Sequence, residues 1–263
     1  MSAMLEIKAL GKRFPARAGR APPPWIIQDM SFSVADGELL TIIGPSGAGK
    51  STLLNIIAQI DVASAGEIVF DGARIASPEQ KALRPGLDRR VGYVTQDDNL
   101  LPWRTTIDNV LFPLEVRGAV NDAARARAQE LIGAVGLTGF ERYYPHELSG
   151  GMRKRAALIR TLVYDPPMIL MDEPFAAVDA QTRTQLQEDL LRLWNLKRKT
   201  IIFVTHDITE AICLGDRALV LSRHPARILA EHPIPIPRPR NVKDLFTLRG
   251  FPAIYERLRK DVQ

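Results

Sequence analysis

Residues 39–51 read LLTIIGPSGAGKS, and TLLNIIAQI follows at 52–60. The five-residue, largely apolar run LLTII, rich in β-branching, has the pattern of a strand buried on both faces. The run after the glycines has helical spacing. Between the two, residues 44–51 match GxxxxGK[ST] in full. Glycines let a backbone turn several N–H groups inward. Gly44, Pro45, Ser46, Gly47, Ala48 and Gly49, with Thr52 in the following turn, therefore form a phosphate cradle. Lys50 reaches the β- and γ-phosphates, and the Ser51 hydroxyl suits Mg²⁺. A chance glycine-rich turn would lack both flanks.

Similar apolar runs recur at Val91–Thr95, Met168–Met171, Ile201–Thr205 and Leu219–Leu221. Helical patterns lie between them. In residues 180–197, Leu186, Leu190, Leu193 and Trp194 share one face. The alternation predicts an α/β domain with a parallel sheet. Three of these runs end in polar groups suited to catalysis. MILMDE ends in Asp172, suited to Mg²⁺, and Glu173, suited to polarising an attacking water. An acid pair at a strand end also serves as a plain helix cap. IIFVTH ends in His206, which is either structural or directed at a γ-phosphate. VGYVTQ ends in Gln96, able to serve the metal and the water.

The N-terminal third differs. Leu5–Phe14, Ile26–Val34 and Glu67–Ile75 alternate, with Asp36-Gly37 and Asp71-Gly72 as turns, and predict an antiparallel β layer. ARAGRAPPP at 16–24 reads as an exposed loop. Residues 98–165 show helical patterns without a strand, with helices expected over Ala123–Val135 and Gly150–Tyr164. Proline at alternate positions from 233 to 239 predicts an extended tail. A short helical pattern over 242–261 ends the chain.

The composition, 46% hydrophobic and 25% charged over 263 residues, is that of a globular chain with a sizeable core. No apolar run approaches the about 18 residues of a membrane span, and MSAMLEIKAL lacks a signal-peptide stretch. A cytoplasmic chain is expected. The single cysteine, Cys213, excludes an internal disulfide and lies in the apolar stretch AICLG, as a buried thiol would. The four histidines show no metal-ligand spacing. The net charge of +5 is scattered through Arg125/Arg127, Arg153–Arg155, Lys197–Lys199 and Arg238/Arg240. Its plain reading is solvated helix faces plus phosphate chemistry. No aromatic-interleaved basic stripe supports nucleic acid as a partner.

A second anion-binding pattern stands at 148–152, LSGGM, ahead of Arg153-Lys154-Arg155. Gly150 and Gly151 at a helix start leave backbone N–H groups accessible, and Ser149 adds a hydroxyl. A capped helix start has the same geometry without a ligand. The order GPSGAGKST, Gln96, LSGGM, MILMDEP, AAVD and Thr205-His206 resembles the ATP-binding subunits of ABC transporters, over roughly residues 5–225. The resemblance implies a P-loop NTPase (RecA-like) α/β core with an antiparallel β layer over 1–97 and 165–225. A helical subdomain is inserted at 98–164, and a Pro-rich tail with a short helix follows at 226–263.

It also implies ATP and Mg²⁺ as ligands, with Ser51, Gln96 and Asp172 on the metal, and Glu173, His206, Lys50 and Gln96 in hydrolysis. Two subunits would pack head to tail, so that Ser149, Gly150 and Gly151 cover the partner's γ-phosphate and Asp179 links the two sites. Met152 stands where the family commonly has glutamine, and Ala176-Ala177-Val178 where it has Ser/Gly-Ala-Leu. Phe14 resembles the residue that stacks on adenine, with Trp25 its rival. Leu100, Leu101, Pro102 and Trp103 resemble the groove that receives a membrane permease. LLPWRT, LSGGMRKR and IPIPRPR look most like importer subunits of the nitrate, sulfonate and taurine group. Such a subunit sits at the cytoplasmic face of the inner membrane, indirectly served by a solute-binding protein. Two rival classes are a soluble P-loop kinase, in which LSGGM would be idle, and a mechanical ABC ATPase, for which heptads or a second GxxxxGKS are missing.

Overall fold

The computed structural model describes residues 3–15, 23–77, 90–176, 178–196 and 198–262. Most of the expected loop 16–24 lies outside these residues. The chain divides into two compact units, residues 1–88 with 199–263, and residues 89–198.

The first unit holds an antiparallel sheet ordered β2-β1-β4-β5, built from β1 (Ala3–Lys12), β2 (Ile27–Ala35), β4 (Ala65–Phe70) and β5 (Ala73–Ala76). In β2, buried Met30, Phe32 and Val34 alternate with outward side chains, the period of a sheet with one face on the core. A second set of strands has β3 (Leu39–Ile43) paired in parallel with β8 (Thr200–Thr205) on one side and β9 (Arg217–Leu221) on the other. Every residue of β3 and β8 is buried, so both faces are covered, as their unbroken apolar runs predict. Helix α1 (Lys50–Ile57) follows β3, and α6 (Ile208–Leu214) follows β8. Asp207 caps α6 by accepting from the N–H groups of Thr209 (2.7 Å) and Glu210 (3.3 Å).

The end of the chain departs from expectation in two ways. Ile228–Pro233 forms a strand, β10, antiparallel to β9. As an edge strand it tolerates the terminal proline. The last helix, α7, spans Phe251–Val262 and not 242–261. Ahead of it, Asn241 bonds the Asp244 carboxylate (2.6 Å) and the Lys243 N–H (3.0 Å), local bonds that compete with a helix. A short 3-10 turn, Leu245–Thr247, precedes α7, and after β10 the tail runs extended over residues 234–237. Its prolines 233, 235 and 237 face outward, while Ile234, Ile236 and Arg240 are buried. The Arg240 guanidinium donates to the carbonyls of Ile212, Cys213 and Gly215 at the end of α6, and to those of Ile234 and Ile236. Burial pushes its pKa down to about 10, so it remains a cation at neutral pH. Arg238 pairs with Asp216 (2.8 Å). This basic pair is therefore a structural staple and not a solvated face. Cys213 is fully buried.

The second unit pairs β6 (Val91–Val94) in parallel with β7 (Met168–Asp172). Its helices are α2 (Thr106–Val116), α3 (Asp122–Ala134), α4 (Gly150–Leu162) and α5 (Ala180–Leu196). No strand occurs between residues 98 and 164. The α2 segment escapes the periodicity argument because Pro113 sits inside it. The helix holds because Thr105 caps it and Val110 and Leu111 are buried. Its core cluster includes Leu100, Val110, Ile132, Leu137, Ala156 and Ile159. Leu186, Leu190 and Trp194 of α5 are buried as expected, with Leu193 partly so.

Candidate active site

The phosphate loop joins β3 to α1. Gly49 stands at the N-cap in the left-handed region (φ 83°), and a Cβ there would come within 3.0 Å of Ile26. Glycine is thus required both by conformation and by space. No side chain caps α1 and no acid occupies its first turn. A helix start of this kind presents N–H groups and the positive end of a dipole to an anion. Lys50 is buried, its ammonium donating to the carbonyls of Gly44 (2.8 Å) and Pro45 (3.1 Å). Ser46, Gly47 and Ser51 are exposed, Pro45 and Thr52 partly so, and Ala48 is buried.

In the same unit, His206 is exposed directly after β8. The Thr205 hydroxyl donates to the buried Glu210 carboxylate (2.5 Å) and accepts from the Asp207 N–H (3.0 Å). His206 is thereby bracketed by two anchored neighbours. Of the two aromatic rivals, Trp25 is partly buried. Its ring lies so close to Gly11 that a Cβ there would meet it at 2.9 Å, and the Arg13 guanidinium lies 4.8 Å from its centroid. Phe14 is 52% exposed, with the Lys12 ammonium 5.3 Å from its ring centroid.

In the second unit, Asp172 ends β7 and Glu173 follows with φ 45°. A carboxylate residue held in the left-handed region stores backbone strain, which concentrates at functional positions. Tyr93 was not singled out by sequence. The parallel register sets it beside Leu170, so it shares a face with Asp172, two residues on. Its hydroxyl bonds the Asp172 carboxylate, and burial, followed by that charge, raises its pKa. Gln96 is exposed, just past β6. Asp179 caps α5, accepting from the Thr182 N–H (2.9 Å) and hydroxyl (2.6 Å). These donors hold its pKa below the ordinary aspartate value, so the cap weakens only as pH falls through that depressed value.

Ser149 caps α4 by accepting from the Met152 N–H (3.3 Å). Gly151 is there for space, since a Cβ would meet Thr182 Cγ2 at 2.6 Å. A cavity of about 270 Å³ opens beside this start, lined by Ser149, Gly151, Met152, Arg155, Gln181 and Thr182, among others.

The apolar run 100–103 is split. Leu100 is buried in the core cluster, so its place in a surface groove is corrected. Leu101 is partly exposed, Pro102 exposed, and Trp103 71% exposed. The cause is Asn109, fully buried on α2, whose amide holds the loop by Leu101 N–H (2.7 Å) and the carbonyls of Leu101, Arg104 and Thr105 (3.0–3.1 Å). Exposed Tyr143 lies against the same helix start, its carbonyl accepting from Thr106 N–H (2.8 Å). No helix among the described residues is long and apolar enough to cross a membrane.

Known proteins share this arrangement. The family described as ABC transporter matches residues 27–176. An aliphatic sulfonates import ATP-binding protein of Bacillus cereus is 39% identical over 247 residues, 93% of this chain and 92% of its own. A taurine import ATP-binding protein of Yersinia pestis is 42% identical over 203 residues, 77% of this chain and 76% of its own. The dimeric structure of a post-hydrolysis state of an ATP-binding cassette, bound to ADP and Pi, superposes with a TM-score of 0.74 at 32% identity. It covers 88% of this chain and 99% of that one.

Proposed function

We propose, for a chain that belongs to the ABC transporter family as an ATP-hydrolysing subunit, that it powers import of a sulfonate, taurine or related small anion through a membrane permease. The observation that carries the nucleotide part is the uncapped, glycine-led start of α1 with Lys50 folded onto its carbonyls. The likeness to sulfonate and taurine import subunits supports the solute class.

Lys50 exchanges its loop carbonyls for the β- and γ-phosphates, while the N–H groups of the α1 start hold the phosphate oxygens. Phe14 stacks on adenine. Ser51, Asp172 and Gln96 offer a hydroxyl, a carboxylate and an amide carbonyl, all hard oxygen donors that fit Mg²⁺. Among the described residues no group of three or more His, Cys, Asp or Glu gathers into a metal cage, and an ion bound chiefly by substrate phosphates needs none. When bound there, Mg²⁺ would neutralise phosphate charge, with Ser51, Asp172 and Gln96 holding it. Glu173 orients the attacking water and takes up its proton, and His206 donates to the γ-phosphate. Two copies assemble head to tail, Ser149, Gly150 and Gly151 of each covering the other's γ-phosphate and Asp179 linking the sites. Trp103, Pro102 and Leu101, with Tyr143, form the surface offered to the permease at the cytoplasmic face. A solute-binding protein acts on the far side.

Co-expression with candidate permeases and a screen for the solute that stimulates ATPase activity in vesicles tests this. A sulfonate or taurine is expected to raise turnover several-fold. Stimulation only by solutes outside the anion class would overturn the solute assignment.

A further inference from the structure

The basic run after LSGGM is not a solvated face. Arg153 donates through Nε to the Asp98 carboxylate (3.1 Å). The Lys154 ammonium donates to the backbone carbonyl of Gln96. Two turns on, the Arg160 guanidinium forks onto the carbonyls of Asp98 (2.7 Å) and Asn99 (2.6 Å). Burial, the largest influence on both, pushes the pKa of Lys154 and of Arg160 down, which marks cations drawn out of water. Three side chains of one helix therefore grip three residues of the segment 96–99, namely Gln96, Asp98 and Asn99.

The gripped segment is also tied within itself. Thr95 hydroxyl donates to the Asp97 carbonyl (2.8 Å), Asn99 amide to the Thr95 hydroxyl (2.7 Å), and Leu100 N–H to the Asp98 carboxylate (3.2 Å). Asn99 holds a left-handed φ of 47°. At the other end of the grip, Arg153 Nη1 donates to the Leu148 carbonyl (2.9 Å), ahead of the Ser149 cap. Arg155 is directed elsewhere, to Asp189 of α5 (3.0 Å).

We infer that Arg153, Lys154 and Arg160 are positioning residues that lock the Gln96–Asn99 segment to helix α4, so that the LSGG helix start and Gln96 move as one body. This rests on the roles proposed above for Ser149 and Gln96. Closure of a neighbouring subunit's phosphate on the start of α4 would then set Gln96 of the same chain, and with it the loop leading to Trp103. One nucleotide site reports to the other through side-chain bonds inside a single unit. The charge-assisted bonds of Lys154 and Arg160 go to backbone carbonyls and so fix position without depending on the segment's side chains, and Arg153 adds a charge pair with Asp98.

The test uses the full chain with Lys154→Gln and Arg160→Gln combined, and separately Asp98→Asn, which keeps the Leu100 acceptor and loses the Arg153 charge pair. Amide exchange, followed by peptide mass spectrometry, should quicken at residues 96–101 by about tenfold, the effect of losing roughly one charge-assisted hydrogen bond, with α4 itself unchanged. Affinity for a fluorescent ATP analogue should stay within about twofold while kcat falls about tenfold, since interactions made only in the transition state act on kcat. Lys154→Arg should restore wild-type values. Unchanged exchange at 96–101 in both variants, or a kcat that stays at the wild-type level, overturns the latch. Absence of ATP hydrolysis in the wild type would instead sink the functional reading, and exchange would still judge the latch.

Discussion

In the proposed mechanism the chemistry is concentrated in one carboxyl group, that of Glu173. Its backbone stands in the left-handed region, where a residue other than glycine is held only by its surroundings. Glu173→Gln preserves shape and removes the base. Turnover should fall by about 10²–10⁴, the usual contribution of a general base, while binding of a fluorescent ATP analogue persists. A variant that hydrolyses ATP near the wild-type rate would strip Glu173 of this role. The proposed adenine platform belongs to the same scale. Phe14 is the exposed ring, and Trp25 is occupied by Gly11 and Arg13. Phe14→Ala should weaken nucleotide affinity by about 1 kcal/mol, some fivefold, with stability nearly unchanged. Trp25→Ala should do the reverse, lowering the urea midpoint and sparing affinity. The opposite pattern in a titration would exchange the two assignments.

Helix α2 and the loop before it show an element shaping a surface. Trp103 is exposed because the buried Asn109 amide holds the loop on four backbone groups. Asn109→Ala takes the side-chain partner from the Leu101 N–H and the Arg104 carbonyl, while the Leu101 and Thr105 carbonyls keep the N–H groups of Arg104 and Asn109. Stability should drop by about 1–3 kcal/mol, as for buried polar groups stripped of hydrogen bonds. Trp103 fluorescence should shift as the loop relaxes. If permease-dependent stimulation survives with the loop loosened, the docking surface lies elsewhere. The C-terminal segment works similarly. Alternating Ile and Pro predict an extended run, yet two cations seat it, Arg240 on five carbonyls and Arg238 on Asp216.

At the scale of the whole molecule the proposed unit of catalysis is two chains, with the phosphate loop of one and the Ser149–Gly151 turn of the other sharing a nucleotide. In a mixed dimer, Ser149→Arg in one chain should disable the site built on its partner's Lys50 and leave its own loop able to bind. Specific activity should also rise with protein concentration until dimers saturate. Activity per chain independent of concentration, or damage confined to the mutated chain's own loop, would contradict the shared site. Periodicity and motif spacing made the strands, the phosphate loop and most helices legible, because a buried strand, a capped helix start and a glycine cradle are local devices whose chemistry lies within a dozen residues. Side-chain partners across the fold were not legible. Leu100 reads as surface and packs inward, and the run Arg153–Lys154 reads as solvated and grips residues 96 and 98. Tyr93 reads as an ordinary strand residue and bonds Asp172. Burial and hydrogen-bond geometry between residues some 55–80 positions apart exist only once the chain has closed its loops, so local pattern could place the elements while the packing chose which of their charged and apolar groups meet.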